Sequence, residues 1–274
     1  MALALAPVLE SFSNPKLLGR RSLARVPMDL ALRLHLGGLP GPLPARARDF
    51  GMGGLCVATP SRFELSELRR ITLLHPTERA ELDVEGRWQA EVPGRDAFLS
   101  GVRFLQVDAK QLDRLWDLVH DHTKYLSRWL SQQSLLKTLS LSDLIQVIHA
   151  MRLRDVASGE MLYRQGVRQP GDDSIAVIVT GTVVLERSTP RGRKVVLGSA
   201  GRGQVFGGSA LLSGAPPLES AIASEPTHCL EISRSSLDFL ESACPSLAAD
   251  LTSIVTKACL ERQAAALDRS VDRS

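Results

Sequence analysis

ARARDFGMGGLCVAT, residues 45–59, reads as a strand, a glycine turn and another strand. Working outward, MDLALRLHL (28–36) alternates as a half-buried strand does, and GGLPGPLP (37–44) is a Gly/Pro cluster that ends it. RITLLHP (70–76) and AELDVEGRWQAEV (80–92) continue the meander, and FLSGVRFLQV (98–107) closes it. Short strands separated by turn signals predict a small barrel.

From Asp108 the period changes. In LDRLWDLVHDHTKYLSRWL (112–130), Leu112, Leu115, Trp116, Val119, Leu126, Trp129 and Leu130 gather near one helical face, and Asp108 suits the N-cap. SQQS (131–134) is a polar link. LLKTLSLSDLIQVIHAM (135–151) is helical, with Ser140 or Ser142 as its cap. Strand-like EMLYRQG (160–166), SIAVIVTGTVVLER (174–187), RKVVLGSA (193–200) and SAIASEPTHCLEIS (220–233) follow, and helical spacing returns from Ser235. The second plan is therefore helix, barrel, helix, with loose residues after Arg262.

The 274 residues suit one large domain or two of ordinary size, and a hydrophobic content of 44% suits folded cores. A net charge of +3 is small for a nucleic-acid binder, and no dense basic stripe occurs beyond one short cluster. Cys56, Cys229, Cys244 and Cys259 are scattered, without C-x-x-C or zinc spacing, and read as reduced thiols. His120 and His122 flank one residue, so they point to different sides of a helix and make a poor metal pair. MALALAPVLE (1–10) lacks the basic start of a signal peptide, and no apolar run approaches the roughly 20 residues that span a bilayer. No nucleophile–base pairing or pair of facing acids stands out. The expectation is a cytoplasmic protein that is not an enzyme, holds no metal and does not insert in a membrane.

The short basic cluster is RRSLAR (20–25). In an extended segment Arg21 and Arg25 share a side, and two planar guanidinium forks grip phosphate oxygens or stack on a purine. DFGMGG (49–54) adds Asp49, a carboxylate able to accept two hydrogen bonds from the donor edge of a guanine. Its glycines let the backbone turn tightly and approach a ligand closely. Together the two stretches suit the phosphates and bases of a guanine dinucleotide. Taken alone, they also read as an exposed basic loop and a hairpin turn.

Arg21 and Arg25 form an R-x-x-x-R before the barrel, and Asp49 and Gly54 form the ends of a [D/N]-x-S-x-x-G pattern on the strand–turn. In these motifs, and in GVRF (101–104), residues 14–130 resemble a PilZ domain, a bacterial receptor module for cyclic di-GMP. The resemblance implies a six-stranded β-barrel with a C-terminal helix. It implies cyclic di-GMP as ligand, with Arg20, Arg21, Arg25, Asp49, Gly51 and Gly54 at the site. Gly51 stands where the family has serine. Losing that hydroxyl costs about 0.5–1.5 kcal/mol, while the charge-assisted contacts remain. Arg20 adds a third guanidinium, which by resemblance favours an intercalated ligand dimer.

ASGEMLYRQG (157–166), IVTGTVVLER (178–187) and GQVFGGSALLSGAPP (203–217) resemble a cyclic-nucleotide-binding domain, over residues 135–262. The family's cassette reads F-G-E-x-A-L, followed by P-R. Phe206, Gly207, Ala210 and Leu211 keep its frame. Gly208 replaces the glutamate that bonds the ribose hydroxyl. Pro217 or Leu218 replaces the arginine that pairs with the cyclic phosphate, and the nearest charge, Glu219, has the wrong sign. A buried phosphate without a cation is costly, so the resemblance implies a retained scaffold that does not bind cyclic AMP or cyclic GMP. In transcription factors of this type a helix-turn-helix domain follows, and the dozen residues after Arg262 leave no room for one, so no DNA binding is expected.

The expected architecture is mainly β with flanking α: a tail (1–13), a PilZ-type six-stranded barrel (14–108), a connecting helix and linker (109–134), a β-roll or jelly-roll cyclic-nucleotide-binding-like domain with helices at both ends (135–262), and a loose tail (263–274). The expected function is that of a cyclic di-GMP effector. Its second domain would contact an unidentified downstream protein or form a homodimer. The competing expectation is a structural adaptor with both nucleotide sites degenerate.

Overall fold

The computed structural model describes residues 25–75, 79–92, 95–133, 135–168, 173–189 and 192–271, with side chains through Glu261. The chain divides into two compact units, Met1–Leu126 and Ser127–Ser274.

The first unit is the barrel that the sequence predicts. Strands β1 (Arg25–Leu36), β2 (Leu43–Gly51), β3 (Gly54–Thr59), β4 (Leu68–Leu74), β5 (Arg79–Glu91) and β6 (Phe98–Phe104) close in the order β1-β2-β3-β6-β5-β4. All neighbours run antiparallel, and closure leaves no free edge. The interior follows the two-residue period: Leu30, Leu32, Leu34 and Leu36 of β1 are buried, as are Phe50, Leu55, Val57, Ile71, Leu73, Leu82, Val84 and Val102. Gly51 pairs with Gly54 across the β2–β3 turn. Gly54 has φ +153°, and a Cβ there would stand 2.1 Å from the Val102 carbonyl oxygen, so β6 presses on a position that only glycine fits.

Helix α1 (Ala109–Ser131) starts directly after Asp108, the N-cap that the sequence suggests. The Asp108 Oδ1 accepts from the Gln111 N–H at 2.7 Å, and the Gln111 Oε1 accepts from the Asp108 N–H at 3.0 Å, a reciprocal capping box. Leu115 and Val119 are buried, and the His122 Nε2 bonds the Pro27 carbonyl at 2.9 Å, which ties α1 to β1. The division between the units falls inside this helix.

In the second unit Ser140 caps α2 (Leu141–Ala150), its Oγ accepting from the Asp143 N–H at 3.2 Å. There follow β7 (Arg152–Val156), β8 (Met161–Tyr163), β9 (Ser174–Thr180), β10 (Val183–Ser188), β11 (Lys194–Ala200), β12 (Val205–Gly207), α3 (Ser209–Ser213), β13 (Ser220–Ala223), β14 (Thr227–Ser233), α4 (Arg234–Ala243) and α5 (Pro245–Val271). Two four-stranded sheets, β11-β10-β13-β8 and β12-β9-β14-β7, enclose a core that includes Val156, Ile178, Val183, Leu185, Phe206 and Cys229. The sequence reading left β7, RLRDV, unassigned. Its arginines find their partner across the sheet: the buried Glu231 carboxylate accepts from Arg152 at 2.8 Å and from Arg154 at 3.2 Å. Helix α5 continues to Val271, past residue 262 where the sequence alone suggests a loose end.

Burial pushes the His149 imidazole on α2 down to about 4, from an ordinary value of 6.5. The unfolded chain therefore takes up a proton below pH 6.5 that the folded chain refuses until about pH 4. Stability contributed by this group is complete above the upper value and is lost as the pH falls between the two, by roughly 1–2 kcal/mol at mid-window. Denaturant titrations across this range are expected to show the decline, and His149→Gln is expected to flatten it.

Candidate nucleotide-binding site

Asp49 sits near the end of β2, between the buried Phe50 and the outward Arg48. The register of β2 shifts against β1 between Pro27 and Leu30, and against β3 between Ala47 and Asp49. These irregularities set Asp49 opposite both Pro27 and Cys56, with its carboxylate on the outer surface of the barrel. The Oδ1 accepts from the Arg25 Nη1 at 2.7 Å and from the Cys56 N–H at 2.9 Å. Among the described residues Oδ2 carries no hydrogen bond. Arg25 and Asp49 remain about a quarter exposed, at 26% and 27%.

Two sequence motifs 24 residues apart thus meet at one oxygen. Arg20 and Arg21 lie outside the described residues. Gly51 and Gly54 bracket the turn beside Asp49. The packing of Gly54 changes its reading: the space freed by its missing side chain is taken by β6 rather than left for a ligand. Sequence reasoning passed over a second charged group on the same surface. Arg46 forks onto Asp29 with contacts of 2.5 and 2.7 Å, and Arg48 stands 3.9 Å from the same carboxylate. The signal was present in ARAR (45–48), which was read only as strand.

In the second unit the cassette is shut by packing. Gly208 has φ +92°, and a Cβ there would meet the Val255 Cγ1 at 2.6 Å and the Cys259 Sγ at 3.4 Å. Helix α5 therefore fills the place where a glutamate side chain would start. The Cys259 thiol donates to the Gly207 carbonyl at 3.6 Å, which pins the helix to the turn. Inside the roll the rings of Tyr163 and Phe206 stack with centroids 6.5 Å apart. Glu219 is buried beside them and accepts from the Tyr163 hydroxyl at 3.4 Å. Arg168 donates to the Gly214 carbonyl at 2.6 Å and to Asp173 at 2.5 Å, so this cation is committed to the loop. Pro217 and Leu218 offer no charge, and the Leu218 carbonyl accepts from Arg187 at 3.1 Å.

The family model of the PilZ domain matches residues 19–121, and that of the cyclic nucleotide-binding domain matches residues 153–242. Along the chain the PilZ match precedes the cyclic nucleotide-binding match. Both are ligand-binding, regulatory kinds of domain, which places the chain among nucleotide-binding signalling proteins. Solved structures similar to this chain include a cyclic nucleotide-binding domain from Methylobacillus flagellatus KT, at 19% identity over 56% of this chain and 85% of that one, with a TM-score of 0.49. The N-terminal domain of a transcriptional regulator from Streptomyces coelicolor A3(2) matches at 23% identity over 48% and 92%, with a TM-score of 0.41. The Thermus thermophilus catabolite activator protein matches at 25% identity over 50% and 61%, with a TM-score of 0.41. Among the described residues no helix is long and apolar enough to cross a membrane, and no group of three or more His, Cys, Asp or Glu side chains is placed to hold a metal ion.

Gly208→Glu restores the family's glutamate in the cyclic nucleotide-binding domain. It is expected to lower stability by about 2 kcal/mol or more, through overpacking and a strained backbone, and to confer no binding of cyclic AMP. A thermal melt and a cyclic AMP titration of the variant check both halves.

Proposed function

We propose that the chain is a cytoplasmic cyclic di-GMP effector whose PilZ domain holds the ligand. Arg21 and Arg25 grip its phosphates, Asp49 takes the donor edge of a guanine, and Arg20 adds a third guanidinium. Gly51 and Gly54 shape the turn beside the base. The observation that carries this reading is the contact between Arg25 and Asp49, which brings the two motifs to one part-buried point.

The chemistry of the contact suits a receptor. An ion pair this exposed adds only about 0–1 kcal/mol to folding, so its rearrangement costs little. A ligand phosphate offers Arg25 a bidentate, charge-assisted partner, and a guanine offers Asp49 two donors in return. Ordering of the arginine segment around the ligand is offset by these contacts. The missing serine hydroxyl at Gly51 lowers affinity several-fold without removing a charged contact.

The second domain supplies a folded surface instead of a second nucleotide pocket. In this reading it contacts a downstream protein or a second copy of the chain, and α1, which both units share, carries the signal. The PilZ barrel then comprises residues 14–108, the connector 109–134 and the second domain 135–262. An adaptor with both sites inactive is the competing reading, and Gly51 together with the filled cassette favours it.

Isothermal titration with cyclic di-GMP separates the two. The effector reading expects micromolar or tighter binding, weakened at least ~100-fold in Arg21→Ala/Arg25→Ala, since two charged hydrogen-bonding groups are removed. Two ligands per chain would fit the role given to Arg20. Absence of binding at high ligand concentration would overturn the effector reading and leave the adaptor.

A further inference from the structure

We propose that the cavity between α1 and the barrel is a second ligand site, taking a small uncharged aromatic molecule that carries a hydroxyl or a ring N–H. The cavity has a volume of about 440 Å³, within the roughly 300–1,000 Å³ usual for small-molecule sites. Its floor is apolar: Met28 and Leu30 of β1, Leu73 of β4, and Leu115 and Leu118 of α1. Neither Arg25 nor Asp49 lines it, so it is separate from the nucleotide face proposed above. The two are close along the chain, because Met28 follows Pro27, which pairs with Asp49.

The hydrogen-bond acceptor in the cavity is His122. Its Nε2 bonds the Pro27 carbonyl at 2.9 Å, and a carbonyl only accepts, so Nε2 carries the proton. Burial outweighs the pull of that carbonyl and holds the imidazole below its ordinary pKa. The ring is therefore neutral at pH 7, and Nδ1 keeps its lone pair. Nδ1 has no hydrogen-bond partner among the described residues. It is not sealed in either: the fully buried ring nitrogens without a partner belong to His120 and His149. A side chain that lines the cavity thus offers it one open acceptor.

Tyr125, about one turn further along α1, also lines the cavity and stacks on His122, with ring centroids 6.3 Å apart. It stays 59% exposed, so the mouth presents an aromatic surface to a flat ring. The charges at the rim are already balanced. The Asp29 carboxylate accepts from Arg46 at 2.5 and 2.7 Å, Asp121 stands 3.7 Å from Lys124, and Arg114 shares the rim with Asp117. A charged ligand competes with these pairs, whereas a neutral one leaves them intact. Apolar floor, aromatic mouth and single acceptor together suit a flat apolar body with one donor.

The test uses p-cresol and toluene, which differ by one hydroxyl, titrated into the full chain with isotope-labelled histidine. Affinity is read from the magnetic resonance of the probes, and contact with His122 from its ring nitrogens. The unaltered chain is expected to bind p-cresol about fivefold more tightly than toluene, the worth of one hydrogen bond, and p-cresol should shift the His122 Nδ1 signal. His122→Gln keeps a donor for the Pro27 carbonyl and removes the Nδ1 acceptor, so both probes should bind it equally. Leu118→Trp fills the cavity and should abolish binding of both. Equal binding of the two probes by the unaltered chain, an unmoved His122 signal, or full binding by Leu118→Trp would each overturn the proposal, as would no binding of either probe up to its solubility. Should Leu118→Trp fail to fold, the comparison with His122→Gln decides. Neither probe is a nucleotide, so the outcome is independent of the cyclic di-GMP titration.

Discussion

The Asp49 Oδ1 accepts both the Arg25 guanidinium and the Cys56 N–H, and so holds β1, β2 and β3 to a common point on the outside of the barrel. Burial of the leucines, valines and phenylalanines inside keeps the strands together; this oxygen decides what the outside presents. Its partners leave Oδ2 without a hydrogen bond among the described residues, beside a guanidinium that can turn to another anion. The barrel supports the arrangement through irregular pairing: without the register shifts around Asp49, alternation along β2 would place other residues opposite Pro27 and Cys56. The shift before Trp88 does the same on β5. A regular barrel has two faces of fixed parity, and this one breaks parity around Asp49, before Trp88, and again between His35 and Leu36 where β1 meets β4.

The second domain shows the reverse use of a familiar frame. Phe206, Gly207, Ala210 and Leu211 form the turn and short helix of a cassette, yet the space beside Gly208 belongs to Val255 and Cys259 of α5. An anionic ligand would also face the buried Glu219 carboxylate, with Arg168 drawn off to Gly214 and Asp173. Side-chain loss and packing point the same way. Glycine at 208 offers no side chain to a ligand, and it lets α5 lie where a side chain would start. A glutamate introduced at this position has to break the packing of Val255 and Cys259 against the turn.

Much of the architecture was legible in the sequence because both units follow simple periods. MDLALRLHL and SIAVIVTGTVVLER announce strands, DFGMGG announces its turn, and Asp108 announces the helix start it caps, while the choice between Ser140 and Ser142 fell to Ser140 in the structure. What escaped depended on partners distant in sequence. RLRDV, the edge strand β7, was left unassigned because its counter-charge, Glu231, lies 79 residues from Arg152. The outward turn of Trp88 required one extra residue in β5, which no local pattern encodes. The same holds for Gly54, whose reason lies in the Val102 carbonyl on another strand. Arg25 and Asp49 were legible as a pair only through the spacing of two motifs. Their contact supplies the physical reason for that spacing.

The central claim is that the barrel, and not the second domain, is where this chain meets its nucleotide. Hydrogen exchange with and without cyclic di-GMP tests it most directly, because it reads both domains in one experiment. The account predicts slower exchange in segments covering residues 20–25 and 49–56, with residues 203–219 unchanged at the cassette itself. Slower exchange confined to 203–219, or none in the barrel at saturating ligand, would contradict it.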